Sequence, residues 1–359
     1  MIKYLGSKRA LLPWILHAID EFVPRPGTAL DLFSGTSRVG HALKKVGWRV
    51  LANDHNAYAA TLARCYVQAD AEIWGERVAE LVLEANTIAR AAVPESALTR
   101  TGAAADDPLP EAGGWFTEDY CRRSRYFQPV NGLRIEAVRR WIAGLGAEPE
   151  LEAVLLTALM EAADRVDSTT GVQMAYLKRW AARAHNTLQL RVPALLPRAA
   201  AGPGRAMQLE ALEAAAREEV DLAYLDPPYN QHKYLGNYHV WESLVLWDAP
   251  EVYGVACKRV DCRTRRSDFN SKPRFRAAFE ALVDAVRAPR LVVSFSDEGY
   301  LARDEMEALL GARGRVRVLQ SGHDRYVGAR IGIHSPAGEK VGTVSHTRNR
   351  EFLFLVQRD

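Results

Sequence analysis

One stretch near the amino terminus limits the fold of this chain more than any other. A short run of strand-forming apolar residues, Thr28 to Phe33, ends at Ser34-Gly35-Thr36. A helical pattern follows from Ser37 to Val46, and a second strand-like run covers Trp48 to Ala52. A strand, a glycine turn, a helix and a strand in this order are typical of the first unit of a parallel α/β sheet.

The same alternation returns later in the chain and predicts one continuous α/β sheet. We predict that the last strands pair as a hairpin, which gives a mostly parallel sheet with an antiparallel edge. The further strands are predicted at 188–192, 221–225, 290–295, 315–320 and 351–356. The further helices of this part are predicted at 56–67, 208–218, 273–286 and 303–310.

The region between these two parts has no clear alternation of strands and helices. A long helix rich in Ala, Glu and Leu is predicted over 72–92, and further helices are predicted over 115–183. Residues 94–114 are rich in Ala, Asp, Pro and Gly, which is typical of an exposed loop. We therefore predict an α/β domain formed by residues 1–71 and 188–359, with a mostly helical insertion at 72–187.

The composition is that of a globular protein with a buried core, at 48% hydrophobic and 25% charged residues. A net charge of +3 is compatible with nucleic acid binding but does not indicate it. The cysteines lack C-x-x-C spacing; Cys257 and Cys262 give only a faint metal signal, and we expect no metal. Because there is no signal core and no run of about eighteen apolar residues, we expect a cytoplasmic protein without a membrane span.

The ends of the first two predicted strands indicate a nucleoside pocket. Gly35 lets the backbone approach a ligand closely and turn into a helix. Asp54 ends the second strand about twenty residues later, where an acid in a doubly wound sheet binds ribose hydroxyls. Phe33, which follows Asp31 beside the glycine, departs from the dinucleotide pattern and suits a cofactor without a pyrophosphate. For this segment alone, a tight turn without any ligand remains the alternative.

The residues Asp226-Pro227-Pro228-Tyr229 directly follow a predicted buried strand. Two prolines must end that strand and stiffen the backbone. Asp226 and the Pro227 carbonyl then become fixed hydrogen-bond acceptors, and Tyr229 becomes a fixed aromatic face. An exocyclic amine offers N–H donors and a base offers a π-face, so this loop fits a flipped-out base. The alternative is a structural turn with a solvated aspartate.

These motifs and their order resemble the Dam-like, or D12-class, DNA adenine methyltransferases, and the likeness runs essentially end to end. The resemblance implies a Rossmann-like S-adenosylmethionine-dependent fold and methylation of N6 of adenine in double-stranded DNA. It also implies that the α/β domain is catalytic and that the insertion at 72–187 is a target-recognition region.

The resemblance also implies roles for single residues. Tyr4-Leu5-Gly6-Ser7-Lys8 is similar to the family's N-terminal element, in which Tyr4 and Lys8 would contact the methionine part of the cofactor. Asp31, Phe33 and Gly35 would form the cofactor turn, and Asp54 would be the ribose-binding acid. The catalytic loop would consist of Asp226, Pro227, Pro228 and Tyr229, and Asp226 would also contact the cofactor.

Two departures from the family pattern are mild, because Tyr4 often corresponds to Trp and Ser7 to Gly. Many members carry an acid before the catalytic strand that touches the cofactor's adenine, and here either Gln208 or Glu210 could serve. Asp226 before the two prolines favours adenine over cytosine N4, and no Pro-Cys dipeptide of the cytosine C5 type is present. His232 after the loop is expected to be structural rather than a general base.

A basic segment follows the catalytic loop and is predicted to contact DNA phosphates. Between 258 and 276 it holds eight Lys and Arg residues against two Asp residues. Its predicted DNA contacts are Lys258, Arg259, Arg263, Arg265, Arg266, Lys272 and Arg274. Arginines between 122 and 140 are a weaker candidate for reading bases, and a structural role is the alternative.

Two other function classes remain open from the sequence. The first is N6 methylation of RNA or of protein glutamine, although glutamine enzymes typically carry Asn where Asp226 stands. The second is a non-catalytic DNA-binding subunit that keeps the fold, although such a subunit usually loses one of the motif residues. For the enzyme we expect a monomer, with double-stranded DNA and a cognate restriction endonuclease as partners.

Overall fold

The computed structural model describes residues 1–93, 113–324, 333–334, 340–342 and 348–358. Its strands are β1 Thr28–Asp31, β2 Arg49–Asn53, β3 Arg205–Met207, β4 Leu222–Leu225, β5 Val252–Tyr253, β6 Lys258–Arg259, β7 Arg290–Ser296, β8 Arg315–Asp324, β9 Ile333–His334, β10 Lys340–Gly342 and β11 Arg348–Gln357. Its α-helices are α1 Leu12–Phe22, α2 Arg38–Lys45, α3 Ala57–Ala63, α4 Ala71–Ala91, α5 Trp115–Thr117, α6 Pro129–Gly144, α7 Pro149–Asp164, α8 Ala211–Arg217, α9 Tyr234–Asn237, α10 His239–Leu246, α11 Asp261–Thr264, α12 Lys272–Ala285 and α13 Arg303–Gly311.

The described residues form a seven-stranded sheet in the order β3-β2-β1-β4-β7-β11-β8. The strands β3, β2, β1, β4 and β7 pair in parallel, whereas β11 runs antiparallel to both of its neighbours. Leu30 of β1 lies opposite Leu51 of β2 on one side and Ala223 of β4 on the other. The predicted mostly parallel α/β sheet with an antiparallel hairpin at its edge is confirmed.

Helices cover both faces of the sheet, which explains why its strands are continuous apolar runs. Successive residues of a strand point to opposite faces. Ala29 and Leu222 accordingly pack with α1 and α2 on one face, while Leu30 and Ala223 pack with α8, α12 and α13 on the other. The strand ends between these two layers are therefore the positions where polar side chains can meet.

The helices α4, α6 and α7 pack on α3 and α10 and form a third core. Pro129 and Pro149 begin α6 and α7, a position where the missing N–H and the fixed φ of proline favour a helix. Buried Tyr58, Tyr120 and Trp241 fill the space between these helices. The helices predicted for this region are confirmed up to Asp164, whereas residues 165–181, also predicted to be helical, contain no helix. The separation of the region as an insertion at 72–187 stays a prediction.

The strand predictions differ from the structure beside β2. The segment 188–192 is not a strand, because the Asn86 side chain bonds both backbone groups of Leu190 and takes the place of a neighbouring strand. The strand beside β2 is instead β3, which was not predicted. Most of the predicted loop at 94–114 lies outside the described residues. None of the described helices is long and apolar enough to cross a membrane.

Candidate active site

A cleft opens where β1, β2 and β4 end side by side. Its empty space, counted together with the solvent at its open mouth, is about 970 Å³. Its walls come from the first residues of the chain, the turns after these three strands, and the segment before α12. In open α/β sheets, ligands bind at this carboxyl edge of the strands.

The glycine turn after β1 and the acid after β2 are held together by hydrogen bonds. Gly35 has a φ of +49°, a left-handed conformation that favours glycine. Its N–H donates to Asp54 Oδ2 at 3.1 Å, while the N–H of Asn56 donates to Asp54 Oδ1 at 2.9 Å. The two predicted parts of the nucleoside pocket thus meet in the cleft, and the Asp54 carboxylate is fixed from both sides.

Asp31 lies at the end of β1, beneath this turn. Its Oδ2 accepts a hydrogen bond of 2.9 Å from the N–H of Gly40 in the first turn of α2. Only 1% of Asp31 is exposed, and this burial raises the pKa of its carboxyl to about 7. Asp31 borders the cleft from below and fixes the position of α2 relative to the sheet.

Tyr4 forms an aromatic wall beside the glycine turn. Its ring stacks on Tyr234 and Tyr238, with centroid separations of 5.2 and 4.6 Å. A Cβ atom at Gly35 would lie 3.3 Å from the Tyr4 ring, so glycine is also needed for this close approach. The Tyr4 hydroxyl lies 3.2 Å from that of Tyr58 on α3, which ties the N-terminal element to the helix after Asp54.

Lys8 joins the N-terminal element to the loop after β4. Its Nζ lies 3.1 Å from Asp226 Oδ1 and 3.6 Å from Glu351 Oε2, and its side chain is 7% exposed. Burial disfavours the Lys8 ammonium, but the neighbouring carboxylates outweigh this and raise its pKa well above the usual value. Burial also raises the pKa of Asp226, and Lys8 partly counteracts this rise.

The loop Asp226-Pro227-Pro228-Tyr229 begins directly after β4, as predicted. Asp226 and Pro228 line the cleft, and Pro227 is buried. The ring of Tyr229 packs on Phe295 of β7 at a centroid separation of 4.8 Å, and its carbonyl accepts a hydrogen bond from the N–H of Tyr300. The loop is therefore held by the prolines, by packing and by a backbone hydrogen bond.

Several cleft residues were not predicted from the sequence. Phe269 packs its ring against the edge of Phe33 at 5.3 Å, and Asn270 donates to the carbonyls of Asn230 and His232. These bonds tie the segment before α12 to the residues after the catalytic loop. An apolar Phe269 inside a strongly basic segment was the one sequence signal for this contact.

The two candidates for the cofactor's adenine contact differ in position. Glu210 borders the cleft, whereas Gln208 is turned toward the carbonyl of His55 and is not among the cleft residues of the described chain. Leu209 between them exchanges two backbone hydrogen bonds with the Asn53 side chain, which fixes this stretch beside β2. The geometry favours Glu210 of the two, although its side chain is largely exposed.

Buried polar atoms without partners line the cleft. Ser7 Oγ, Ser34 Oγ and Asn56 Oδ1 have no hydrogen-bond partner among the described residues. Because buried polar groups are almost always hydrogen-bonded, these atoms fit a polar ligand in the cleft. Together with the Asp54 carboxylate and the aromatic wall of Tyr4, they suit a nucleoside with a polar side arm.

The sequence profile of the D12 class N6 adenine-specific DNA methyltransferases matches residues 4–272. The matched range contains the glycine turn, Asp54 and the loop from Asp226 to Tyr229. The chain belongs to this family. The methyltransferase fold predicted from the sequence is thereby confirmed. The position of the antiparallel strand β11 between β7 and β8 is an observation that the sequence did not predict.

The methyltransferase is also similar to curated proteins. It is 28% identical to the Type II methyltransferase M.NlaIII of Neisseria lactamica, over 99% of this chain and 98% of that protein. It is 29% identical to the Type II methyltransferase M.FokI of Planomicrobium okeanokoites, over 87% of this chain and 47% of that protein. The modification methylase StsI of Streptococcus sanguinis is 25% identical, with 46% of its length covered. The chain thus spans about half the length of M.FokI and of StsI, and nearly all of M.NlaIII.

The basic segment of this methyltransferase divides into exposed and structural cations. Arg263, Arg266, Lys272 and Arg274 are exposed, and Lys258 is half-buried. The guanidinium of Arg263 stacks on the Tyr253 ring at 3.8 Å, and Arg274 forms an exposed ion pair with Asp268. These five residues keep a surface that a phosphate could reach.

Arg259 and Arg265 do not fit the predicted phosphate contacts. Arg259 is buried, and its guanidinium forms a two-pronged ion pair with Asp248 and further bonds to Asp261. Arg265 is bonded to the buried carboxylate of Glu242 and to the carbonyl of His55. Because Arg259 is buried, we correct its assignment to a structural role. The side chain of Arg265 is 32% exposed, and its two protein partners favour a structural role over the predicted phosphate contact.

Two of the six arginines between 122 and 140 have structural positions too. Arg134 and Arg139 are buried, and Arg139 donates to the carbonyls of Leu244 and Val245. Arg125 stacks on Trp180 at 4.6 Å. The buried positions cannot reach a base.

Within the described residues, no three His, Cys, Asp or Glu side chains cluster as metal ligands would, and both Cys257 and Cys262 are buried.

Proposed function

We propose that this methyltransferase transfers a methyl group from S-adenosylmethionine to N6 of a flipped-out adenine in double-stranded DNA. The observation that carries the proposal is the position of Asp226, which borders the cleft and lies 3.1 Å from the buried Lys8 Nζ. The same Nζ lies 5.9 Å from the centroid of the Tyr229 ring. A fixed carboxylate at the edge of the cleft, with an aromatic ring in the same loop, suits an amine-bearing base.

The donor would be held by residues at the other end of the cleft. Asp54 is placed to accept hydrogen bonds from ribose hydroxyls, and Tyr4, Phe33 and the Gly35 backbone would pack around the nucleoside. Ser34 Oγ would gain the partner that it lacks. When bound, S-adenosylmethionine supplies a methyl group already activated by its positively charged sulfur.

Asp226 and the Pro227 carbonyl would accept hydrogen bonds from the two N–H groups of the adenine amine. This orients the nitrogen lone pair away from the loop and stabilises positive charge on the amine. Tyr229 would stack on the base; its ring is fixed by Phe295 and therefore loses little freedom on binding. Neither a metal nor a nucleophilic side chain takes part in this mechanism.

The exposed cations of the basic segment would hold the DNA backbone beside the cleft. Lys258, Arg263, Arg266, Lys272 and Arg274 lie in the stretch that ends at the cleft wall and at the start of α12. The region 72–187 would supply target recognition. The relatives are named Type II methyltransferases and a modification methylase, which supports a role in a restriction-modification system. We further propose a cognate endonuclease as the functional partner and a monomer as the active form.

The test is to incubate unmethylated DNA with the protein and with S-adenosylmethionine that carries a deuterated methyl group. Digestion to nucleosides and mass spectrometry then identify the base that gains the label. We expect label in N6-methyladenine only. Label in N4-methylcytosine would contradict the base assignment, and no label in DNA would contradict the proposed reaction.

A further inference from the structure

Glu242 is a buried carboxylate that holds the start of α3. It lies on α10, it is 1% exposed, and it accepts hydrogen bonds from the N–H groups of Ala57 and Tyr58 at 3.2 and 3.0 Å. The first N–H groups of a helix lack partners within the helix, and an acid there is favoured by the helix dipole. This helix begins directly after the turn that carries Asp54.

Arg265 completes the arrangement from the opposite side. One guanidinium nitrogen donates to Glu242 Oε1 at 2.9 Å, and another donates to the carbonyl of His55 at 3.1 Å. The planar guanidinium can hold two acceptors at fixed positions, which a lysine ammonium cannot do with the same geometry. Arg265 therefore clamps a buried carboxylate and a backbone carbonyl at the same time.

The clamped carbonyl belongs to the residue that follows Asp54. The Asp54 carboxylate is itself bonded to the N–H groups of Gly35 and Asn56, so its position depends on the path of this short turn. The same arginine also anchors the chain that continues into the cleft wall at Phe269. Two walls of the donor pocket thus share one anchor.

We propose that Arg265 and Glu242 are positioning residues of the methyl-donor pocket, which hold the turn carrying Asp54 in its binding geometry. This inference rests on the proposed function. It gives Arg265 a task distinct from that of its exposed neighbour Arg266, although both lie in the same basic segment. In this role Arg265 acts on donor affinity through the position of Asp54.

The test compares Arg265→Ala, Arg265→Lys and the matched control Arg266→Ala in the full chain. Binding of S-adenosylhomocysteine is measured by calorimetry, and binding of an unmethylated DNA duplex is measured by fluorescence anisotropy. Thermal unfolding without ligand checks that each variant is folded. Arg265→Lys keeps a positive charge beside Glu242, so it remains informative if Arg265→Ala does not fold.

We expect Arg265→Ala to weaken S-adenosylhomocysteine binding about tenfold and Arg265→Lys about threefold, as the loss of hydrogen bonds predicts. The DNA affinity of both Arg265 variants should stay within about twofold of the wild type. Arg266→Ala should instead weaken DNA binding and leave S-adenosylhomocysteine binding unchanged. The inference would be overturned if both Arg265 variants bind S-adenosylhomocysteine as the wild type does. It would also be overturned if they lose affinity for S-adenosylhomocysteine and for DNA to the same extent. A wild type that fails to bind S-adenosylhomocysteine would instead overturn the proposed function.

Discussion

Lys8 Nζ and Asp226 Oδ1 lie 3.1 Å apart, and this ion pair joins the N-terminal element to the catalytic loop. The two residues are far apart in the sequence, and Lys8 is buried between Asp226 and Glu351. A buried lysine without a partner would lower its own pKa, so the pair keeps both groups charged. Lys8 is thus linked to the electrostatic state of Asp226, in addition to its proposed donor contact.

The pair predicts the pH dependence of methylation. Burial raises the pKa of Asp226 and Lys8 counteracts that rise, so Lys8→Met should raise this pKa further. Because the ionised carboxylate accepts the amine's hydrogen bonds, the acid limb of the single-turnover pH profile should move to higher pH. Lys45→Met, at the exposed end of α2, is the control and should leave the limb in place. A limb that stays or moves to lower pH in Lys8→Met would refute this coupling.

Asp31 predicts a pH-dependent stability. Its carboxyl has a pKa of about 7 in the folded protein because of burial, which is above the usual value in an unfolded chain. The folded state therefore binds a proton that the unfolded state has released, and stability falls as pH rises from about 4 to about 7. Asp31→Asn should remove this fall, which is on the order of 4 kcal/mol. Urea unfolding of both proteins across that range is the measurement, and parallel curves would disprove the assignment.

Gly35→Ala should weaken the donor pocket. The left-handed φ costs an alanine about 1–2 kcal/mol, and the added Cβ would press on the Tyr4 ring at 3.3 Å. We expect a lower melting temperature and weaker S-adenosylhomocysteine binding. Gly75→Ala is the matched control, since Gly75 lies in α4 with no atom near the added Cβ and should gain helix stability. Equal effects of the two substitutions would argue against a special role for Gly35.

The sequence predicted most of the sheet and the strand-end motifs, because apolar periodicity and turn residues are local signals. Asp54, Gly35 and Asp226 could be predicted to meet, since parallel strands bring their carboxyl ends to one edge. The distant partners of Arg259 and Arg265 could not be predicted, because Asp248 and Glu242 come from the loop after α10 and from α10 itself and reach the two arginines only through tertiary packing. Charge counting alone gives the same weight to a buried arginine and an exposed one.

The exposed cations and the buried Arg259 should respond differently to substitution. Lys272→Ala and Arg266→Ala should each weaken DNA binding and reduce the slope of log affinity against log salt by about 0.9. Arg259→Ala should leave that slope unchanged and destabilise the fold by roughly 2 kcal/mol, a value reduced for the partly exposed Asp248 and Asp261. Salt titrations of duplex binding, together with urea unfolding, separate the two roles. A reduced slope in Arg259→Ala would mean that it contacts phosphate after all.

The most direct test of the account is the single-turnover rate of methyl transfer to unmethylated DNA by the wild type and by Asp226→Ala. Binding of S-adenosylhomocysteine and of DNA is measured on the same samples. We predict that the rate falls by at least about a hundredfold, as for the loss of a group that stabilises transition-state charge, while both ligands still bind. An Asp226→Ala variant that methylates adenine within about threefold of the wild-type rate would contradict the central claim.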